Sequence, residues 1–140
     1  FIDEYMRKFS GIADYMRRTK ETAKVNLYVE TEMGRRRYLP EINSSNFQVQ
    51  NAAERMAINM PIQGLAADIM KLAMIAVSTN YELDTNVRMI LQVHDEIILE
   101  VKEAHAEEVA KKVKDIMEKV YTLSIPLVVD VKVGDSWGEI

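Results

Sequence analysis

Apolar positions change period repeatedly along this chain, and each change marks an element. Phe1, Ile2, Tyr5, Met6 and Phe9 recur at helical spacing until Ser10-Gly11 interrupts them. Ile12, Tyr15 and Met16 form the apolar side of a second helix to about Lys24, with Arg17, Arg18, Lys20 and Lys24 on a solvated basic face. From Val25 the period drops to two: Val25, Leu27 and Val29 alternate with Asn26, Tyr28 and Glu30, which predicts a strand. Met33-Gly34 supplies a turn, Arg35-Arg36-Arg37-Tyr38-Leu39 returns, and Pro40 ends the hairpin. The loop Asn43-Ser44-Ser45-Asn46 offers helix N-caps.

A long helix follows over about Phe47 to Asn80. Pro61 near its middle has no N–H for the Ala57 carbonyl, so a kink or local unwinding is expected there. After a loop around Tyr81 to Asn86, two short apolar runs rich in β-branched residues flank His94-Asp95-Glu96, which predicts a hairpin over Val87 to Val101 with a tight turn. The turn has no glycine, but His and Asp are among the side chains most tolerant of positive φ. Ala106, Val109, Val113, Ile116, Met117 and Val120 stripe a helix over about 104–121 that should pack on the hairpin. Leu127, Val129, Val131 and Val133 alternate with Val128, Asp130 and Lys132, predicting one more strand joining the hairpin. The class expected is α+β, a small antiparallel sheet with packed helices and a separate hairpin near the N-terminus.

With 140 residues and 48% apolar content, the chain suits one domain with a core. The absence of cysteine excludes a disulfide framework and thiolate metal sites, and fits a reducing, cytoplasmic setting. No apolar run approaches membrane-spanning length by inspection, and no secretory signal opens the chain. It begins at Phe1 inside a helix and reads as a piece of something larger. A net charge of −4 argues against a dedicated nucleic-acid binder. The charge is uneven, however: residues 1–75 carry 11 basic and 9 acidic side chains, residues 76–140 carry 7 and 13. A polyanion should meet the first part, except at the acidic turn, where a cation would have to intervene.

Two constellations carry chemistry. The first is the 94–96 turn, which sets one or two carboxylates and an imidazole at the tip of a rigid hairpin. Polar residues at hairpin turns are usually just turn residues, yet this set also suits a metal ion. The second is Arg55, Asn59 and Gln63, spaced i, i+4, i+8 and therefore stacked on one helix face. Carboxamides donate and accept, and the DNA minor groove offers acceptors at every base pair. Such a row can test the shape of a base pair without reading its identity.

Gln92-Val93-His94-Asp95-Glu96 between apolar strands resembles the C-terminal catalytic motif of family A DNA polymerases, the bacterial DNA polymerase I family. Ala53-Glu54-Arg55-Met56-Ala57-Ile58-Asn59-Met60-Pro61-Ile62-Gln63-Gly64-Leu65-Ala66-Ala67-Asp68 is similar to the family segment preceding that motif, and Gly34-Arg35-Arg36-Arg37-Tyr38-Leu39-Pro40 to its earlier hairpin. The match runs in order over nearly the whole chain. It implies fingers-side helices and an Arg-rich hairpin over 1–46 and the C-terminal part of a palm over 47–140. It implies that Arg55, Asn59 and Gln63 track a template–primer duplex, that Gln92 and His94 sit at the primer terminus, that Asp95 is a catalytic magnesium ligand and that Glu96 supports it. Gln92 and His94, two apart on a strand, should share a face. The partners implied are template–primer DNA and deoxynucleotide triphosphates, and the cofactor is two Mg2+ ions in a complete enzyme.

Leu65 stands where the family commonly has Thr, and Gln48-Val49-Gln50-Asn51 lacks the basic residues often found there, so no template-phosphate contact is implied for that stretch. The family's other metal-binding Asp motif and its Lys-bearing nucleotide helix have no counterpart in these residues. The expectation is a part of a polymerase, inactive alone, binding magnesium weakly and prone to self-association through surfaces that other segments would cover. Two other classes remain open: a non-catalytic DNA-binding module, and a metal-dependent hydrolase using Asp95, Glu96 and His94.

Overall fold

A computed structural model describes residues 2–139. The chain divides into two compact units, residues 1–66 and 67–140. In the first, α1 (Ile2–Lys8) and α2 (Ser10–Asn26) precede a hairpin of β1 (Tyr28–Glu30) and β2 (Arg36–Tyr38). A single 3-10 turn, Pro40–Asn43, then leads to α3 (Phe47–Asn80), which continues into the second unit. There β3 (Val87–Val93) and β4 (Glu96–Val101) pair antiparallel, and α4 (Ala106–Lys119) follows.

Element boundaries correct the sequence reading in three places. The break between the first two helices falls at Phe9 rather than Ser10-Gly11, which lie inside α2. Helix α2 runs on through Val25 and Asn26, so the strand begins at Tyr28; Leu27 closes the helix in the left-handed region at φ 60 with its N–H on the Ala23 carbonyl, 2.8 Å away. Residues 127–133 form no strand. Their alternation is real, but the amide of Val129 donates to the Glu118 carboxylate at 3.0 Å instead of to a β ladder. The sheet of the second unit is therefore two-stranded.

The core of the first unit gathers Ala23, Val29, Leu39, Ile42, Ala53, Ala57 and Met60. Leu39 and Ile42 are fully buried, each contributing roughly 1.5–3 kcal/mol of transfer free energy. Asn46 caps α3, its side-chain oxygen accepting from the amides of Gln48 (3.0 Å) and Val49 (3.3 Å), as the loop composition predicts. Helix α3 passes through Pro61 without an unwound segment. Its most apolar window reaches a mean hydropathy of 1.4, so by length and composition it is able to cross a bilayer, contrary to inspection of the sequence. A helix that sends Ala53, Ala57 and Met60 into one core and Val77 into another meets the same criterion.

In the second unit Val109 and Val113 of α4, with Ile116 and Met117, pack against Val87, Met89, Leu99 and Val101 of the hairpin and against Val77 and Tyr81. The apolar stripe of α4 thus does what its period predicts. Its polar side carries helical ion pairs, Lys114–Glu118 at 3.7 Å and Lys119–Asp115 at 2.5 Å.

Candidate active-site hairpin and duplex-facing helix

The hairpin turn is built from two residues, His94 and Asp95, between the paired Val93 and Glu96. His94 takes φ 52, the positive value that its residue type tolerates. The Gln92 carboxamide donates to the His94 backbone carbonyl, tying strand to turn. Because His94 lies in the turn and not on the strand, strand alternation does not place it on the face of Gln92; that inference from spacing is corrected.

A bulge at Ile90 changes the hairpin further. Met89 pairs with Leu99, but Leu91 pairs with Ile98 and Gln92 with Ile97, so Ile90 is the extra residue. Directly opposed residues share a face. Gln92 and Ile97 therefore lie on the face of Met89, Leu99, Val87 and Val101, while Leu91, Ile98, Val93 and Glu96 lie on the other with the Arg88–Glu100 ion pair. Simple alternation from Val87 would have sent Leu91 to the packed face. The bulge instead brings a carboxamide there, at the tip end of the hairpin.

Gln92, His94, Asp95 and Glu96 are all exposed. Asp95 and Glu96 are adjacent oxygen donors of the kind magnesium prefers. Among the described residues, no group of three or more His, Asp or Glu side chains converges on one point. The donor chemistry fits a magnesium ion held partly by this turn and otherwise by water and phosphate oxygens.

Arg55, Asn59 and Gln63 lie in the first unit on the exposed face of α3, in the single row their spacing predicts. Ile62, one position aside, is also well exposed. Of the three arginines in the β1–β2 hairpin, Arg36 is engaged with Glu30 and stands over the Tyr28 ring, 4.7 Å from its centroid, and Arg37 points at the Met56 sulfur, 3.1 Å away.

Behind the row, α2 holds α3 with polar side chains that the sequence reading passed over. Glu54 accepts from Lys20 at 2.8 Å and Lys24 at 2.7 Å, and these two ammonium groups hold its carboxyl below the ordinary carboxylate range. Tyr15, read from sequence as part of an apolar side, donates its hydroxyl to the Ile58 carbonyl at 2.8 Å. Asp68 is buried and engaged, as a carboxylate out of water must be. A basic residue one or two turns from an acidic one on the next helix is too common a pattern to reveal such ties in advance.

Comparison with known proteins places this arrangement in a class. A model of DNA polymerase family A matches residues 1–139, and the chain belongs to that family. It is 47% identical over 137 residues to the thermostable DNA polymerase I of Thermus thermophilus, covering 98% of this chain and 16% of that protein. Against the DNA polymerase I of Pseudomonas aeruginosa it is 49% identical over 140 residues, covering 99% of this chain and 15% of the relative. Among solved structures it resembles the POL domain of Pol1 from M. smegmatis in complex with DNA primer-template and dNTP, at a TM-score of 0.91 and 46% identity over 97% of this chain and 24% of that one. The chain thus spans 15–16% of the length of these two curated relatives.

Proposed function

We propose that this chain is the C-terminal part of the polymerase domain of a DNA-directed DNA polymerase, which adds deoxynucleotides to a primer 3′ end on a DNA template in the cytoplasm, in replication or repair. Residues 1–46 belong to its fingers side and residues 47–140 to its palm. The observation that carries the reading is the His94-Asp95 turn, which with the adjoining Glu96 exposes two carboxylates at the tip of a hairpin, in a chain that superposes on a polymerase domain solved with primer-template and dNTP.

Asp95 and Glu96 would hold magnesium, Asp95 as the direct ligand and Glu96 in support. When bound with substrate phosphates, the ion supplies Lewis-acid stabilisation of charge developing on the phosphoryl oxygens. The residues of this chain position the reactants. Arg55 offers a fixed fork of donors to phosphate or groove acceptors, and Asn59 and Gln63 offer amide donors to purine N3 and pyrimidine O2. Gln92 and His94 contact the primer terminus, and the bond from Gln92 to the His94 carbonyl keeps the turn in one shape. Taken alone, the 140 residues lack the second Asp motif and the nucleotide helix and do not catalyse nucleotide addition.

The test uses the full-length polymerase. Asp95→Ala should lower single-turnover nucleotide addition by at least about a thousandfold while duplex affinity stays within about threefold, because a metal ligand acts on transition-state charge whereas many contacts hold the duplex. Gln63→Ala should instead change the ratio of mismatched to matched extension. Near-normal addition by Asp95→Ala would remove the turn from the chemistry.

A further inference from the structure

The hydrogen bond from Tyr15 to the Ile58 carbonyl joins α2 to α3 across 43 residues of sequence, and it lands beside a weak point. Pro61 has no N–H to give the Ala57 carbonyl, and its ring crowds the preceding turn. Proline is among the few places where an otherwise continuous helix bends sharply. The row Arg55, Asn59, Gln63 straddles that point, with two members before Pro61 and one after. Swinging a group about 8 Å from such a hinge through about 20° moves it by roughly 3 Å, the length of a hydrogen bond. The row therefore stays a row only if the proline turn is held.

We propose that Tyr15 is a positioning residue: its hydroxyl fixes the carbonyl side of the Pro61 turn, and so keeps Gln63 aligned with Arg55 and Asn59. A carbonyl oxygen has two lone pairs, so Ile58 can accept the phenol in addition to its helical N–H. The neighbouring tie from Glu54 to Lys20 and Lys24 holds α3 seven residues before Pro61, Tyr15 reaches it three residues before, and Gly64 packs against Thr31 three residues after. The role rests on the reading above that the row faces the duplex.

The experiment compares Tyr15→Phe, Gln63→Ala, Pro61→Ala and Tyr15→Phe/Pro61→Ala in the full-length polymerase. Phenylalanine keeps the ring and removes only the hydroxyl. Tyr15→Phe should raise KM for primer–template about 3- to 10-fold and shift mismatched extension toward the Gln63→Ala value, leaving kcat on matched DNA and the melting temperature nearly unchanged. In the Pro61→Ala background, where the helical N–H is restored, removing the hydroxyl should have less than a twofold effect. Unchanged KM and discrimination in Tyr15→Phe, or an equal effect in both backgrounds, would overturn the proposal.

Hydrogen exchange of the 57–66 segment in the same proteins provides a readout independent of DNA. Tyr15→Phe should speed exchange there about 3- to 10-fold with proline present and leave it unaltered with alanine. If Gln63→Ala leaves mismatched extension unaffected, the duplex-facing reading is at fault. The exchange data then decide the role of Tyr15 by themselves, and an unchanged rate overturns it.

Discussion

Replacing Gly64 by alanine sets two physical effects against each other, and the structure decides between them. Helix propensity alone favours alanine by about 1 kcal/mol at an interior helical position. A Cβ built on Gly64, however, would lie 2.6 Å from the Thr31 side-chain methyl and 3.4 Å from the Met60 terminal methyl. Thr31 cannot readily move. It is buried, its hydroxyl accepts from the Arg35 amide at 3.1 Å, its own amide donates to the Arg35 carbonyl at 2.9 Å, and its carbonyl accepts from Gly34 at 2.9 Å. Turning the methyl aside would break the hydroxyl bond, and shifting the hairpin turn would open its packing on α3. Overpacking of this kind costs about 1–3 kcal/mol, so Gly64→Ala should destabilise by about 1–2 kcal/mol net. Equilibrium denaturation should show a lower midpoint at unchanged slope. Thr31→Ser, which deletes only the clashing methyl, should rescue the alanine variant with a coupling energy of about 1–2 kcal/mol. A Gly64→Ala protein more stable than the parent, or no coupling to Thr31→Ser, would refute the reasoning.

Glu54 should make stability fall at acid pH. Lys20 and Lys24 depress its carboxyl, so its contribution is complete above the unfolded value of about 4.3 and is lost as pH drops through the lower folded value. Glu54→Gln should cost up to about 1 kcal/mol at pH 7 by denaturation and progressively less as pH falls through the lowered folded value; a difference independent of pH would count against the ion pairs. Magnesium titrated into the 140-residue chain should shift NMR resonances of Asp95 and Glu96 only at millimolar concentrations, since water must fill most of the coordination shell, and tight saturable binding would contradict this. The chain should also self-associate with rising concentration in sedimentation experiments. Ile2, Phe47, Ile62, Ile75 and Leu83 are among many large apolar side chains at its surface, and a strict monomer at high concentration would contradict this.

Periodicity was enough to read that the helices and both hairpins exist, and residue type to offer the 43–46 loop as the source of a cap and His94 and Asp95 as residues tolerant of positive φ. These depend on neighbours within a few residues, where backbone sterics and local hydrogen bonding dominate. The same holds for the row on α3, which follows from 3.6 residues per turn alone. The family resemblance, too, lay in contiguous motifs and needed no coordinates.

Tertiary structure decided what depends on a partner distant in sequence. The 127–133 stretch has the alternation of a strand, but a strand exists only when an edge receives it; here Glu118 takes the Val129 amide instead. The bulge at Ile90 arises from the pairing of β3 with β4, and by moving Gln92 to the other face it overrides alternation that is correct for an isolated strand. Glycine at position 64 looks like a helix defect until Thr31 is seen against it. Tyr15 looks like one more apolar position until its hydroxyl meets Ile58. In each case the deciding atom lies 11 or more residues away except at the bulge, where strand pairing itself is the cause, and one-dimensional pattern carries no record of which distant surfaces meet.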